Sequence, residues 1–114
     1  MDTERFKVGW ILVAFDLPVM SKKQRKAATG FRQWLLDDGF QMLQFSVYAR
    51  SCVTATRQET HLTRIRKELP PEGNVRTWFI TRSQWDRGCI FHGAGESGMA
   101  EHPTEPLPAQ LQFW

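Results

Sequence analysis

The chain has 114 residues and a mass of 13.3 kDa, which is enough for one domain and excludes two independent hydrophobic cores. Hydrophobic residues make up 41% and charged residues 24%, a balance that excludes global disorder. The longest apolar run, Trp10 to Phe15, has six residues, whereas a membrane-spanning helix needs about twenty. No secretory signal opens the sequence, so we expect a cytoplasmic protein with no membrane partner.

The net charge of +3 hides an uneven distribution. Residues 1–92 contain all fifteen Lys and Arg against nine acids, whereas residues 93–114 contain three acids and no basic residue. A basic body predicts a polyanion partner, although a solvated surface with an unstructured end explains the charges equally well. Cys52 and Cys89 lie far apart in the sequence, so we expect reduced, half-buried side chains and no disulfide or zinc site.

The first half of the chain predicts a strand and then a helix. Trp10 to Phe15 is apolar throughout, as in a central strand covered on both faces. Ser21 and Gln24 form a capping box that begins a helix, and Gly39 ends it, with Asp37-Asp38 unfavourably placed at its C-terminal end. The inward stripe of this helix consists of residues at helical spacing: Ala27, Phe31, Trp34 and Leu35.

The middle of the chain predicts two strands and a second helix. Phe40 to Cys52 is extended, with a change of alternation at Met42-Leu43 that indicates a bulge or bend between two strands. Thr56 and Glu59 predict a second capping box, and the helix that follows ends at Pro70-Pro71.

The remaining elements complete an α+β domain. Val75 to Thr81 alternates as a strand after a turn at Gly73-Asn74, and Cys89 to His92 forms a further short strand. The order βαββαβ with an extra C-terminal strand predicts a ferredoxin-like antiparallel sheet with two helices on one face. Because Trp and Phe number thirteen together, we expect self-association as a two-fold homodimer to cover the other face.

The composition changes after residue 92 and predicts a boundary there. Residues 1–92 form the predicted domain, and residues 93–114 form a Gly- and Pro-rich acidic tail. The tail ends in four apolar residues that we expect to dock, either back onto this domain or, preferably, on a partner's sheet. These are Leu107, Leu111, Phe113 and Trp114.

One acidic residue has a position suited to chemistry. Asp16 follows the first strand and precedes Leu17-Pro18, so its carboxylate should emerge at the edge of the sheet. Spacing alone favours an Asx-type turn over a metal site. A two-fold dimer would nevertheless bring two Asp16 carboxylates together, which could hold Mg²⁺ for phosphodiester cleavage. The histidines share no ligand spacing, and His61 lies on the polar flank of the second helix, as a solvated residue would.

Basic residues cluster close to this strand end. Four cations open the first helix, where a helix N-terminus already attracts phosphate, and Arg76 adds charge beside them on the last long strand. We therefore predict that nucleic acid binds to this surface. The four residues are Lys22, Lys23, Arg25 and Lys26.

Three motifs together resemble a known family. They are the strand Trp10 to Pro18 with its Asp-Leu-Pro end, the basic helix start, and Gln44 to Tyr48. Over about residues 8–92 the chain resembles CRISPR-associated protein two, the small subunit of the spacer-acquisition machinery, often called the CRISPR-associated endoribonuclease. Leu35 to Phe40 and Leu69 to Pro71 look most like members from systems with a single large RNA-guided effector nuclease.

The resemblance implies a CRISPR adaptation subunit. It implies a ferredoxin-like homodimer in which the last strand of each chain pairs with the partner's sheet and two copies of Asp16, the catalytic acid, share one Mg²⁺. The dimer would bridge two dimers of the spacer integrase, to which the tail would bind, and hold prespacer DNA. Family members are credited with cutting single-stranded RNA or double-stranded DNA, although neither a second carboxylate nor a histidine accompanies Asp16 in this sequence. A toxin-like, metal-dependent endoribonuclease on the same fold is the alternative.

Overall fold

The computed structural model describes residues 8–93 and 100–101. In the order of the chain, the strands and helices are β1 (Gly9–Asp16), α1 (Lys22–Asp37), β2 (Gln41–Gln44), β3 (Val47–Cys52), α2 (Ala55–Lys67), β4 (Asn74–Thr81), α3 (Arg82–Asp86), β5 (Ile90–Phe91) and β6 (Ala100–Glu101). The first six elements follow the order βαββαβ, which confirms the predicted ferredoxin-like α+β fold. Within the described residues no helix is long and apolar enough to cross a bilayer.

Four of these strands form an antiparallel sheet in the order β2-β3-β1-β4. β1 lies inside the sheet with β3 and β4 on its two sides, as its continuous apolar sequence predicts. β5 and β6 pair as a separate short ribbon, which confirms a short strand after residue 89. The register of β2 against β3 shifts between Met42 and Gln44, so the change of alternation seen in the sequence is a bulge. The predicted division into two strands at this point is wrong, because β2 and β3 separate at the turn Phe45-Ser46.

Helices α1 and α2 cover one face of the sheet, which we call the inner face. Alternate residues of β1, namely Ile11, Val13 and Phe15, enter a buried cluster with Phe31 and Leu35 of α1. Residues from α2, from β3 and from the connection before β2 complete this cluster: Ile65, Tyr48, Cys52 and Phe40. Trp34 packs against the cluster while remaining partly exposed, so three of the four predicted stripe residues face the core. The fourth is wrong by one position, because Ala28 rather than Ala27 is the buried alanine.

Local signals at the helix ends agree with the structure in two of three places. Ser21 and Gln24 form the capping box of α1, and Gly39 has a φ of 99° that only glycine adopts readily after a helix. The predicted start of α2 is wrong by two residues, because Thr54 rather than Thr56 is the N-cap and accepts a hydrogen bond from the Arg57 amide. Both Thr54 and Thr56 can cap, and the end of β3 at Cys52 selects the earlier one.

The sequence analysis did not predict a third helix, α3, which is only five residues long. It begins directly after β4, with Thr81 as N-cap and Gln84 completing a capping box. Its Trp85 is 5% exposed and stacks on Trp10 of β1, with ring centroids 4.5 Å apart and planes 18° from parallel. α3 therefore covers one end of the sheet face opposite α1 and α2, which we call the outer face.

Candidate nucleic-acid and metal site

Asp16 is the last residue of β1 and lies on the outer face of the sheet. The alternation along β1 places Asp16 on the same side as Trp10, Leu12 and Ala14, whereas Phe15 enters the inner core. Asp16 is exposed, and within residues 8–93 no hydrogen bond or ion pair occupies its carboxylate. Among these residues the Asx-type turn that spacing favoured is therefore not formed, and the carboxylate of Asp16 is exposed.

The surroundings of Asp16 form a shallow groove where β1 and β4 meet. Asn74 pairs directly with Asp16, and Arg76 pairs with Ala14, two residues further along the same strands. Asp16, Asn74, Arg76 and Ala14 line the groove together with Phe15. Arg76 is exposed, lies diagonally across from Asp16 and is not ion-paired to it. A carboxylate and a guanidinium are thus exposed side by side. The guanidinium suits a phosphate and the carboxylate suits a metal cation.

A glycine holds β4 close to this groove. Gly73 has a φ of 98°, and a side-chain carbon there would lie 2.6 Å from the carbonyl oxygen of Asp16. Because that distance is shorter than side-chain carbons tolerate, only glycine allows the turn before β4 to pack against the end of β1. The site is therefore built on two paired strands and a tight turn, which keep the backbone of Asp16 fixed.

The basic residues predicted to bind nucleic acid lie at the start of α1. Lys22, Lys23, Arg25 and Lys26 are all exposed, and the first turn of α1 contains no acidic residue. The guanidinium of Arg25 also donates to the carbonyl oxygens of Val19 and Met20 at 3.1 and 3.2 Å, which fixes the loop before the helix. The cations add to the positive end of the helix, so this surface attracts phosphate.

The outer face is covered at one end and open at the other. Trp10, Ala49 and Trp85 form a buried cluster at the covered end, with Leu12, Leu43 and Ile80 packed around it. At the open end Trp78, which pairs with Leu12, is 47% exposed, and Asp16 and Arg76 lie beyond it. The open end therefore combines an exposed indole with the charged groove.

Comparison with known sequences decides the family. Residues 9–87 match the family described as CRISPR associated protein Cas2. The chain belongs to this Cas2 family. A protein named CRISPR-associated endoribonuclease Cas2 from Paracidovorax avenae is 42% identical over 109 residues, which cover 96% of this chain and 96% of the relative.

Other relatives carry the same name at similar identity. The protein from Parvibaculum lavamentivorans is 39% identical over 105 residues, covering 92% of this chain and 99% of the relative. The protein from Flavobacterium psychrophilum is 48% identical over 89 residues, covering 78% and 77%. The resemblance read from the strand, helix and Gln44–Tyr48 motifs is therefore confirmed at the level of the Cas2 family.

Within the described part of this Cas2 chain, Asp16 is not accompanied by a cluster of metal ligands. Among the described residues no group of three or more His, Cys, Asp or Glu side chains is close enough to hold a metal ion. Asp16 is a hard, exposed oxygen donor of the kind Mg²⁺ takes, and Mg²⁺ is commonly held by one or two carboxylates with water completing its shell. One exposed Asp16 carboxylate is thus the smallest protein contribution that such a site uses, and a second copy of the chain would raise that contribution to two.

The structure corrects two expectations, and a third lies outside the residues that it describes. His61, predicted to be solvated, is 8% exposed, and burial together with nearby Arg50 lowers its pKa to about 4. Cys52 is buried, which raises its pKa, and Cys89 is exposed, so the expectation of two half-buried thiols is wrong although both are free. The tail residues named as a docking segment, Leu107, Leu111, Phe113 and Trp114, lie outside the described residues.

Sequence reasoning missed a cluster of buried charges on the inner side of the fold. Asp38, the C-cap of α1, forms ion pairs with Arg50 of β3, at 3.5 Å, and with Arg64 of α2. The side chains of Asp38 and Arg50 are 2% and 6% exposed, and the Arg50 guanidinium also donates to the Asp38 carbonyl. The sequence signal that could have revealed this cluster was Arg50, the one charged residue in the otherwise uncharged strand β3.

Proposed function

We propose that this chain is a homodimeric subunit of CRISPR adaptation that holds prespacer DNA and bridges dimers of the spacer integrase. The observation that carries the proposal is the open end of the outer face, where Trp78, Asp16 and Arg76 share one uncovered surface. Membership of the Cas2 family supports the CRISPR role over the toxin-like alternative.

The open end supports dimerisation through the outer face. Trp78 is 47% exposed and Leu12 beside it is only partly buried, although both lie on a sheet. Covering apolar surface contributes about 25 cal/mol for each Å² removed from water, so a second copy is favoured there. A two-fold axis near Asp16 would bring the two carboxylates together and make the basic surfaces of both copies continuous.

The basic surface supports binding of a duplex without reading its sequence. Lys22, Lys23, Arg25 and Lys26 project from the start of α1, and Arg76 projects from β4. Contacts of this kind go to phosphates and release counterions, so the binding constant should fall steeply as salt rises.

The proposal is tested by measuring mass and binding on the same samples. Light scattering should give twice the 13.3 kDa chain mass for the wild type, and anisotropy should show tight binding of a blunt DNA duplex that weakens with salt. Trp78→Glu should give monomers with weakened duplex binding, whereas Val19→Glu, an equal charge change at an exposed site outside the outer face, should stay dimeric. A monomeric wild type that binds no duplex contradicts the proposal.

The tail completes this proposal as the contact to the integrase. Leu107, Leu111, Phe113 and Trp114 are the expected anchors, because apolar side chains in an acidic, Pro-rich segment gain from burial on a partner. Deleting residues 107–114 should abolish co-purification with the integrase while leaving dimer mass and duplex affinity unchanged. Undiminished co-purification would assign the integrase contact to the domain instead.

Nuclease activity is a second candidate function, favoured by the names of the relatives and by the exposed carboxylate of Asp16. The relatives from Paracidovorax avenae and Parvibaculum lavamentivorans are both named endoribonucleases. In a dimer two Asp16 carboxylates would hold Mg²⁺, which when bound polarises a phosphoryl oxygen and lowers the pKa of bound water. Arg76 would orient the phosphate beside them. Cleavage of labelled single-stranded RNA and duplex DNA, with Mg²⁺ and with chelator, tests this function.

A further inference from the structure

The turn between β2 and β3 presents an aromatic side chain that no core uses. Phe45 lies in this turn and is 69% exposed, more than any other described phenylalanine except Phe91. The turn is at the same end of the sheet as Asp16, because the amide of Phe15 donates to the carbonyl of Ser46 at 3.0 Å. An exposed ring therefore lies at the same end of the sheet as the candidate site, on the side of α1 rather than on the outer face.

Phe45 is the outer layer of a stack that starts in the core. The ring of Phe15 is buried, and the guanidinium of Arg32 lies over it at 5.4 Å from the ring centroid. The same guanidinium lies over the ring of Phe45 at 4.1 Å. Arg32 thus joins a core ring to a surface ring, and cation–π attraction to both rings holds the guanidinium in place.

Backbone contacts fix the outer ring as well. The Nε of Arg32 donates to the carbonyl of Phe45 at 3.4 Å, and the Phe15–Ser46 hydrogen bond ties the turn to β1. A surface ring held from its backbone and from one face loses little conformational freedom when it binds a ligand. This is the arrangement that a stacking platform needs.

We propose that Phe45 stacks an unpaired nucleobase, so that the base extends the series Phe15, Arg32 and Phe45 by one layer. The inference rests on the proposed nucleic-acid binding, because the cations of α1 would hold the phosphates that flank the base. A flat, electron-rich base fits a ring backed by a guanidinium, and each such stack strengthens single-strand binding irrespective of sequence. A blunt duplex offers no free base face within its length and so gains nothing from Phe45.

The unpaired base can come from single-stranded RNA or from an overhang on duplex DNA. Three probes separate these sources: a single-stranded RNA, a DNA duplex with single-stranded ends, and the same duplex with blunt ends. We expect Phe45→Ala to weaken the binding of one or both probes with unpaired bases by about fivefold to a hundredfold. Blunt-duplex affinity should stay within about twofold, because it depends on phosphate contacts.

Three further variants distinguish stacking from a simple loss of apolar surface. Phe45→Trp should bind the probes with unpaired bases at least as tightly as the wild type, because it keeps an aromatic ring. Phe45→Leu keeps apolar surface without a ring and should behave like Phe45→Ala. Met42→Ala removes a comparably exposed apolar side chain from neighbouring β2, 56% exposed, and should leave all three affinities unchanged. A 2-aminopurine base in the probe should lose fluorescence on binding to the wild type and keep it with Phe45→Ala.

The outcomes distinguish this inference from the proposed function. Equal loss of blunt-duplex and single-strand affinity in Phe45→Ala, or no loss at all, overturns the stacking site. A wild type that binds the blunt duplex but neither probe with unpaired bases overturns stacking and leaves the proposed function standing. A wild type that binds none of the three probes overturns both.

Discussion

Two aspartates at the ends of neighbouring elements have opposite surroundings. Asp38 caps α1, is 2% exposed and is ion-paired to Arg50 and Arg64. Asp16 ends β1, is exposed, and has an arginine near it without an ion pair. The difference shows that the charge of Asp38 stabilises the fold, whereas the charge of Asp16 is exposed where a ligand could bind.

The surroundings of each residue explain this division. A buried carboxylate is tolerated only when cations compensate it, so Asp38 must be paired and thereby ties α1 to β3 and α2. Asp16 is exposed at the end of β1, so water solvates its charge and the fold supplies no cation as a partner. Stability experiments should therefore report on Asp38, and ligand experiments on Asp16.

The largest expected effect is that of removing Asp38. Asp38→Ala leaves Arg50 buried without its carboxylate, and we expect a loss of about 3–5 kcal/mol in the free energy of unfolding. Urea denaturation followed by tryptophan fluorescence measures it. Asp37→Ala is the matched control, because Asp37 is exposed and accepts only from Gln33, and it should cost less than about 0.5 kcal/mol. Equal losses in both variants would contradict the assignment of the buried pair.

The next effect concerns Asp16 and should appear in activity alone. Asp16→Asn should lower Mg²⁺-dependent cleavage by about a hundredfold or more, since a bound metal supplies several kcal/mol of charge stabilisation. The free energy of unfolding should change by less than about 0.5 kcal/mol. Asp86→Asn on α3, also an exposed acid, should leave cleavage unchanged. Cleavage that survives both Asp16→Asn and chelator would remove Asp16 from the catalytic site.

The third effect is a loss of stability in mild acid. Burial, with Arg50, Arg64 and Arg57 outweighing Asp38, lowers the pKa of folded His61 to about 4 from the ordinary 6.5. Between pH 6.5 and pH 4, His61 is therefore protonated in the unfolded chain but neutral in the folded chain. The free energy of unfolding decreases as pH falls through this range.

Between pH 7 and pH 5 this difference amounts to about 2 kcal/mol, measured by urea denaturation at each pH. His61→Gln should show correspondingly less pH dependence than the wild type over this interval. His92→Gln, at an exposed histidine, should keep the wild-type dependence. A His61→Gln protein as sensitive to pH as the wild type would assign the loss to other groups.

The smallest effect is that of one cation beside Asp16. Arg76→Ala should lower the slope of log binding constant against log salt by about 0.9 for a duplex, since one phosphate contact is lost. The free energy of unfolding should stay within about 0.5 kcal/mol of wild type, because Arg76 is exposed. Arg82→Ala removes the same charge from α3, where Asp86 lies 3.9 Å away, and should leave the slope closer to wild type. An unchanged slope in Arg76→Ala would show that Arg76 does not contact a phosphate of the duplex.

Much of the fold follows from local signals in the sequence. The apolar run of β1, the Ser21–Gln24 capping box, the change of alternation near Met42 and the glycine at position 39 each act within a few residues, so each could be predicted. α3 is also locally encoded by Thr81 and Gln84, although the five-residue helix is too short to show periodicity.

The sequence by itself therefore determined the order of the elements, the strand-end position of Asp16, the basic start of α1 and membership of the Cas2 family. Only the tertiary structure decided which acid is buried. Asp37 and Asp38 are adjacent and chemically identical, and the arginines that pair with Asp38 come from β3 and α2. Likewise Arg32 meets Phe15 and Phe45 only because the sheet and α1 bring them together. Contacts between residues distant in sequence depend on packing, and no local pattern of side chains records them.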